Sequence, residues 1–357
     1  MSRDPLHGRG ARTNASGRYE RFAREAFDDG WSAGELTPLE TIVTPEFAKT
    51  IISTNSSPDI SFDQSINPYR GCEHGCIYCY ARPNHAYVGL SPGLDFETKL
   101  FVKANAAELL EQEFSKPSYR PRTIMMGGVT DIYQPIERGY GVTRALLEVM
   151  EKWRHPVALI TKSHLVIRDI DILARLAERG LAKAAISVTT LDRRIARVME
   201  PRAAAPHRRI ETIRMLADAG VPVTVMVAPV VPAINDREIE GILEECKKAG
   251  ASAAGYVVLR LPLEIKDLFR EWLEQHFPDR ATRVMTLVRQ MRGGRDYDPE
   301  WGKRQKGEGP YAQLIANRFA KALKRLELDK PRLELDHTQF RRPLEIGGQT
   351  DMFAAND

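Results

Sequence analysis

The stretch Cys72-Glu73-His74-Gly75-Cys76-Ile77-Tyr78-Cys79 constrains this chain more than any other. Three of the four cysteines fall inside it, spaced C-x3-C-x2-C. A disulfide framework calls for an even count and wider loops. A metal or iron–sulfur site fits better, because thiolates are the usual ligands of [4Fe–4S] clusters and one short loop can wrap a face of a cubane. Three thiolates leave one iron open to chemistry. A zinc site completed by His74 or His85 is the alternative these residues leave open. Cys246 stands apart, with Ile239, Ile242 and Leu243 on an apolar helical face, and reads as a buried structural thiol.

Composition narrows the setting. Hydrophobic residues make up 43% and charged residues 28% of 357 positions, the balance of an ordinary globular protein. No apolar run approaches the roughly 20 residues of a membrane span, and residues 1–24 lack an apolar signal core. No membrane partner is therefore expected. Reduced cysteines imply a cytoplasmic location. The net charge of +4 permits a nucleic-acid substrate without arguing for one. Nothing in the sequence sets the oligomeric state.

Residues 1–55 read as an N-terminal extension. Arg3, Arg9, Arg12, Arg18, Arg21 and Arg24 lie among Gly, Ser and Asn there, the composition of a solvated tail. The functional counterpart is an arm that contacts nucleic acid or folds over the site. Residues 56–262 then alternate strands and helices. Strands are expected over 60–66, 123–126, 157–161, 184–188, 223–228 and 256–259, with a further short one at 99–102. Helices are expected over 104–114, 142–153, 170–179, 207–219 and 237–249, the last opened by Asp236. Six βα units of this kind mean parallel strands with helical crossovers. A barrel and a doubly wound sheet share that periodicity; the cysteine loop directly after the first strand favours a barrel, whose ligands sit at the C-terminal rim. Residues 263–357 are a helical C-terminal region with a tail, its helices at 265–276, 280–291 and 311–326. The loop at 293–310 mixes Arg295, Tyr297, Trp301, Lys303 and Arg304 and could clamp a nucleic-acid strand.

Several strand ends carry polar groups. Met126-Gly127-Gly128-Val129-Thr130-Asp131 closes the second barrel strand, where glycines let a ligand approach the backbone. A tight turn with an N-cap explains it equally. Thr161-Lys162-Ser163 and Ser187-Val188-Thr189-Thr190 end the next two strands. Arg260 ends the sixth and suits a phosphate or an internal carboxylate.

With an aromatic just before the third cysteine, the loop resembles the signature of the radical SAM superfamily. Cys72-x3-Cys76-x2-Cys79-Tyr80, Gly128-Val129-Thr130-Asp131, Thr161-Lys162 and Ser187 together resemble its spore-photoproduct-lyase-related branch, often called DNA repair photolyase-like, over residues 60–260. The resemblance implies an α/β fold, a partial (β/α)6 TIM-like barrel. It implies two cofactors, a [4Fe–4S] cluster on Cys72, Cys76 and Cys79 and S-adenosylmethionine on its open iron. Reductive cleavage of that ligand would give a 5′-deoxyadenosyl radical for hydrogen abstraction from a substrate the sequence does not name. Tyr78 is expected against the adenine. Gly127, Gly128, Thr130 and Asp131 are expected at the methionine amino group, Lys162 at the carboxylate and Ser187 at the ribose or methionine. A reducing electron donor of flavodoxin or ferredoxin type is implied. True photoproduct lyases carry a hydrogen-donating cysteine where this chain has Gly128. Tyr133 is then the candidate donor. The remaining readings are a DNA-lesion repair lyase and a zinc-stabilised nucleic-acid-binding module without catalysis.

Overall fold

The computed structural model describes residues 8–20, 39–331 and 333–342. Its strands are β1 (Ile42–Glu46), β2 (Ile52–Thr54), β3 (Gln64–Ile66), β4 (Tyr69–Arg70), β5 (Lys99–Lys103), β6 (Ile124–Met126), β7 (Val157–Thr161), β8 (Ala182–Ser187), β9 (Val223–Val230) and β10 (Ala253–Val258). The main sheet has seven strands in the order β10-β9-β8-β7-β6-β3-β2. From β3 to β10 every neighbouring pair is parallel, and β2 runs antiparallel on the edge. This is the expected partial (β/α)6 barrel, open between β10 and β2.

The strand sequences explain its two faces. In β9 Val223, Val225, Val227 and Val230 are buried against Ile213 and Leu216 of helix Pro206–Asp218 and Ile242 and Leu243 of helix Ile239–Lys248. Each such side chain contributes roughly 1.5–3 kcal/mol on burial. The alternate set behaves differently. Met125, Ile160, Ala185, Thr224 and Met226 are only half-buried. Parallel sheets normally have both faces covered; here the inner face is the less covered of the two. Cys246 is fully buried in the outer core, as expected.

Most expected elements recur within one to three residues. Strand 157–161 and helix 265–276 match the observed bounds. The first barrel strand is shorter than its alternating pattern. Asn55 Nδ2 donates to the Phe62 carbonyl at 2.9 Å and its Oδ1 accepts from Ser57 N at 3.0 Å. Such local side-chain bonds compete with a ladder, and residues 55–63 form a loop instead. Strand 99–102 exists as β5, but in a separate three-stranded sheet ordered β1-β5-β4. Helix Arg193–Met199 was not anticipated; Asp192 caps it by accepting from Arg194 N at 2.7 Å and Ile195 N at 3.3 Å. Asp236 does not cap its helix and instead accepts the Tyr311 hydroxyl.

The solvated-tail reading fails for residues 8–20. Ala11 is fully buried and Arg9 is nearly so. Arg3, Arg21 and Arg24 lie outside the described residues. The C-terminal helices Ile265–His276, Pro278–Gln290 and Gly309–Arg325 follow β10. The first two build a second core in which Phe269, Trp272, Leu273 and Val284 meet Ala11, Cys76, Ile77 and Tyr78. The cysteine loop is thus packed into a core of its own. No helix among the described residues is long and apolar enough to cross a membrane.

Candidate active site

The cysteine loop follows β3 and β4 at the C-terminal end of the parallel strands. Backbone bonds shape it. Gly75 N donates to the Cys72 carbonyl at 3.3 Å and Cys79 N to the Cys76 carbonyl at 3.2 Å. Long-range bonds then fix the loop in place. Cys72 N reaches the Phe96 carbonyl at 2.9 Å and Ile77 N the Met199 carbonyl at 3.1 Å. Gln134, fully buried, accepts from Glu73 N at 2.9 Å and donates to the Gly71 carbonyl at 3.2 Å. Arg82 Nε donates to the Cys76 carbonyl at 2.9 Å.

None of the three thiols is in a disulfide; Cys72 and Cys76 are buried and Cys79 is half-buried. Burial pushes each thiol up, Cys76 to about 12, and Asp131 and the other two cysteines add to the effect at Cys72. Thiols so disposed ionise only when a cation offsets the repulsion. No three His, Cys, Asp or Glu donors among the described residues draw together tightly enough for a single ion. His85 Nε2 faces the Lys99 carbonyl at 2.9 Å, and His74 Nδ1 lies 3.3 Å from Asp131 Oδ2. Three thiols on one loop fit a polynuclear iron–sulfur group, which spans more space than one ion.

The Gly-rich turn and the next two strand ends meet beside this loop. Gly127 has φ +93°, and a Cβ there would lie 2.4 Å from the Ile160 carbonyl oxygen, so the turn tolerates no side chain. Gly128 is different: a Cβ would meet only Phe62 Cζ, at 3.9 Å, in open space. Asp131 is saturated. It accepts from Tyr133 N at 2.9 Å, Thr161 Oγ1 at 2.6 Å and Lys162 N at 2.8 Å, besides facing His74. Burial opposes its charge, but His74, Thr161 and the Lys162 amide hold it well below the usual carboxylate range. Thr130 is buried and donates to the Tyr69 carbonyl at 3.3 Å. Asp131 and Thr130 thus stitch β4, β6, β7 and the cysteine loop together.

Lys162 is half-buried and is the unpaired cation of this rim among the described residues. Its Nζ sits 5.8 Å from the Tyr78 ring centre and makes no ion pair with another described residue. Its field reaches Cys76, Cys79 and Glu200. Beneath it lies a buried group that sequence reading missed. Tyr78 donates to Glu200, Thr189 Oγ1 donates to Glu200 at 2.7 Å, and Arg209 pairs with Glu200 from a fully buried position. Burial opposes the Glu200 charge, yet Arg209 and Lys162 bring its carboxyl down to about 2. Arg209 Nη1 also donates to the Ser187 carbonyl at 3.1 Å, which fixes the end of β8. No local spacing marks this group, because Glu200 lies in a loop and its partner Arg209 lies on the next helix, Pro206–Asp218.

Tyr78 is therefore a buried wall of the site. The exposed aromatic is Tyr80, whose hydroxyl donates to the Gly128 carbonyl and whose ring lies 5.0 Å under the Arg260 guanidinium. Tyr133 is elsewhere. It is buried in the outer core, and Asp169, Arg168 and Glu137 are its electrostatic neighbours. The cations of loop 293–310 are mostly spent internally: Lys303 pairs with Glu300 and Glu308, and Arg304 with Asp59.

Comparisons agree with this geometry. The chain is 33% identical over 232 residues to an uncharacterized protein of Mycobacterium tuberculosis, covering 64% of this chain and 68% of that one. It is 27% identical over 214 residues to an uncharacterized protein of Methanocaldococcus jannaschii, covering 60% and 76%. Its fold is similar to that of spore photoproduct lyase complexed with dinucleoside spore photoproduct, with a TM-score of 0.57 at 17% identity over 80% of this chain and 79% of that one. A point mutant of the same lyase gives 0.56 at 17% identity over 80% of each chain. The model of the radical SAM superfamily matches residues 66–246, a span that opens at the end of β3, takes in all three loop cysteines and the rim of β6, β7 and β8, and so assigns this chain to the radical SAM superfamily of enzymes.

Proposed function

We propose that Cys72, Cys76 and Cys79 hold one [4Fe–4S] cluster and that S-adenosylmethionine binds against it at the rim of β6, β7 and β8. One observation carries this reading: three thiols free of disulfides share a core-packed loop directly beneath a lysine that has no ion pair among the described residues. When bound, the pair of cofactors supplies one-electron reductive cleavage to a 5′-deoxyadenosyl radical, the chemistry this family imports rather than builds from side chains. The chain's own residues position and enclose. Lys162 offers one charge-assisted contact to a carboxylate. Gly127 and Gly128 present bare backbone to an amino group, while Asp131 and Thr130 hold that turn in shape. Ser187 and the Tyr78–Glu200–Arg209 group form the wall under the ligand. The less covered inner face of the sheet receives the substrate and positions it against the reacting group. A flavodoxin- or ferredoxin-type donor supplies the electron.

The substrate reading favours a small molecule or a single reactive segment over a clamped nucleic-acid strand, because Lys303, Arg304 and Lys306 of loop 293–310 already have protein partners. Likeness in fold to spore photoproduct lyase keeps lesion repair as the second reading. Multiple-turnover release of thymidine dinucleotide from a dinucleotide photoproduct would favour it, despite the glycine at position 128.

Anaerobic reconstitution followed by iron and sulfide analysis tests the primary reading. About four irons per chain are expected. Replacing Cys72, Cys76 or Cys79 by Ala should abolish both cluster and cleavage of S-adenosylmethionine, and Cys246→Ala should preserve both. A protein that takes up one zinc and no sulfide would overturn it.

A further inference from the structure

The N-terminal segment 8–20 joins the cysteine loop through an unbroken chain of hydrogen bonds. Gly10 N donates to Glu97 Oε2 at 2.9 Å and Ala11 N to Glu97 Oε1 at 2.8 Å. Arg82 Nη2 donates to Glu97 Oε1 at 2.5 Å. Arg82 Nε then donates to the carbonyl of Cys76 at 2.9 Å. Glu97 and Arg82 are both fully buried. A buried carboxylate and guanidinium persist only when their hydrogen-bonding capacity is met. Arg82 meets it with the Pro92 and Gly93 carbonyls at 3.1 and 3.0 Å, and Glu97 meets it with the two amides of the segment. The segment thus supplies the two amides that complete the hydrogen bonding of the ion pair whose arginine grips the second cysteine.

Steric fit points the same way. A Cβ on Gly10 would lie 1.8 Å from the Gly75 carbonyl oxygen, and Gly75 sits inside the cysteine loop. A Cβ on Gly75, at φ +65°, would lie 2.7 Å from Glu97 Oε2. Two glycine backbones therefore touch where any side chain would hold them apart. Ala11 buries its methyl with Cys76 and Ile77. Further along, Asn14 and Asp95 bond reciprocally at 3.0 and 2.9 Å, and Thr13 Oγ1 donates to Glu271 at 2.9 Å on helix Ile265–His276.

We propose that residues 8–20 are a fixed wall of the cysteine site, with Glu97 and Arg82 as positioning residues that transmit its hold to Cys76. This rests on the cluster reading above. The wall keeps the loop in its ligating shape and shields one side of the cluster from oxygen. A segment that merely tidied the terminus would leave the cluster unaffected.

The test uses the full-length chain with Gly10→Val, which prevents the two backbones from touching, and separately Glu97→Gln, which sets an NH2 group against N–H donors. Each protein is reconstituted anaerobically. Iron and sulfide are counted, bleaching of the visible absorbance in air is timed, and the dithionite-reduced protein is examined by electron paramagnetic resonance. Circular dichroism and melting of each apoprotein report on the fold. With the fold intact, iron retention should fall and bleaching should accelerate about tenfold or more, the usual cost of losing an outer partner of a metal ligand. The resonance of Glu97→Gln should change shape. Folded variants with wild-type iron content, bleaching rate and resonance would overturn the inference. Gly10→Val alters only the segment and decides alone should Glu97→Gln not fold. A wild-type chain that takes up no iron would instead overturn the cluster reading.

Discussion

At the scale of single residues, the site separates into groups free to touch a ligand and groups that are spent on the protein. Asp131 shows the difference. It is the foremost acid of the rim, yet both its oxygens are occupied by Tyr133, Thr161, Lys162 and His74. Lys162 is the opposite case, with its Nζ unpaired among the described residues. Lys162→Ala should remove one charge-assisted contact, about 1.5–3 kcal/mol. Affinity for S-adenosylmethionine should drop roughly ten- to a hundredfold, as read by calorimetry on the reconstituted variant, while iron content stays the same. The three loop cysteines and the glycines at 127 and 128 were legible in the sequence because short-range spacing encodes them. Glu97, Arg82, Glu200 and Arg209 were not. Each is meaningful only beside its partner, and a lone buried charge has no local pattern.

At the scale of elements, the hydrophobic period carried most of the fold. Strands β7 and β9 and helix Ile265–His276 announce themselves by apolar runs or a repeating face. What the period could not give was pairing: β5 has a good strand pattern but joins β1 and β4 outside the barrel. One junction between elements yields a pH prediction. His155, before β7, stacks on Phe114 at 4.4 Å and shares a 2.8 Å bond with the Tyr119 hydroxyl. Burial lowers its imidazole from 6.5 to about 3. The folded-state value is depressed for a base, so the unfolded chain binds a proton that the folded chain refuses. Stability is therefore lost as pH falls from 6.5 toward 3, by at most about 1.4 kcal/mol per pH unit. His155→Gln should make urea-denaturation stability of the apoprotein fall less steeply between about pH 6.5 and 4.5, above the window in which Glu200 contributes. His85 and His276, also lowered by burial, account for the slope that remains. An unchanged slope would remove His155 as the cause.

At the scale of the whole molecule, the open edge between β10 and β2 is bridged rather than left bare. Val258 N at the end of β10 donates to the Gln305 carbonyl at 2.8 Å, and Arg304 Nε reaches Asp59 Oδ2 at 2.5 Å in the loop that leads to β3. Gly302 N adds a bond to Asp59 Oδ1 at 2.6 Å. The C-terminal loop thus serves as a clasp. Arg304→Ala should raise amide hydrogen exchange in residues 55–62 and 302–305 selectively, with β7 and β8 unchanged. Uniform exchange across the protein would argue against a clasp. The loop's basic residues suggested nucleic acid in the sequence because composition does not show which charges already have partners.

The three cysteines are neighbours in sequence, but the surroundings that hold them are not. Amides come from Gly10 and Ala11, a carboxylate from Glu97, an amide side chain from Gln134, a carbonyl from Met199 and an ion pair from Glu200 and Arg209. During synthesis the thiols leave the ribosome long before residue 209 does. Contacts so far apart in sequence form late in folding. A nascent chain would therefore offer three exposed sulfurs with no enclosure, and loading at that stage would leave the cofactor open to solvent. A cluster held as proposed would gain its full enclosure only after the chain beyond residue 209 has joined the cysteine loop.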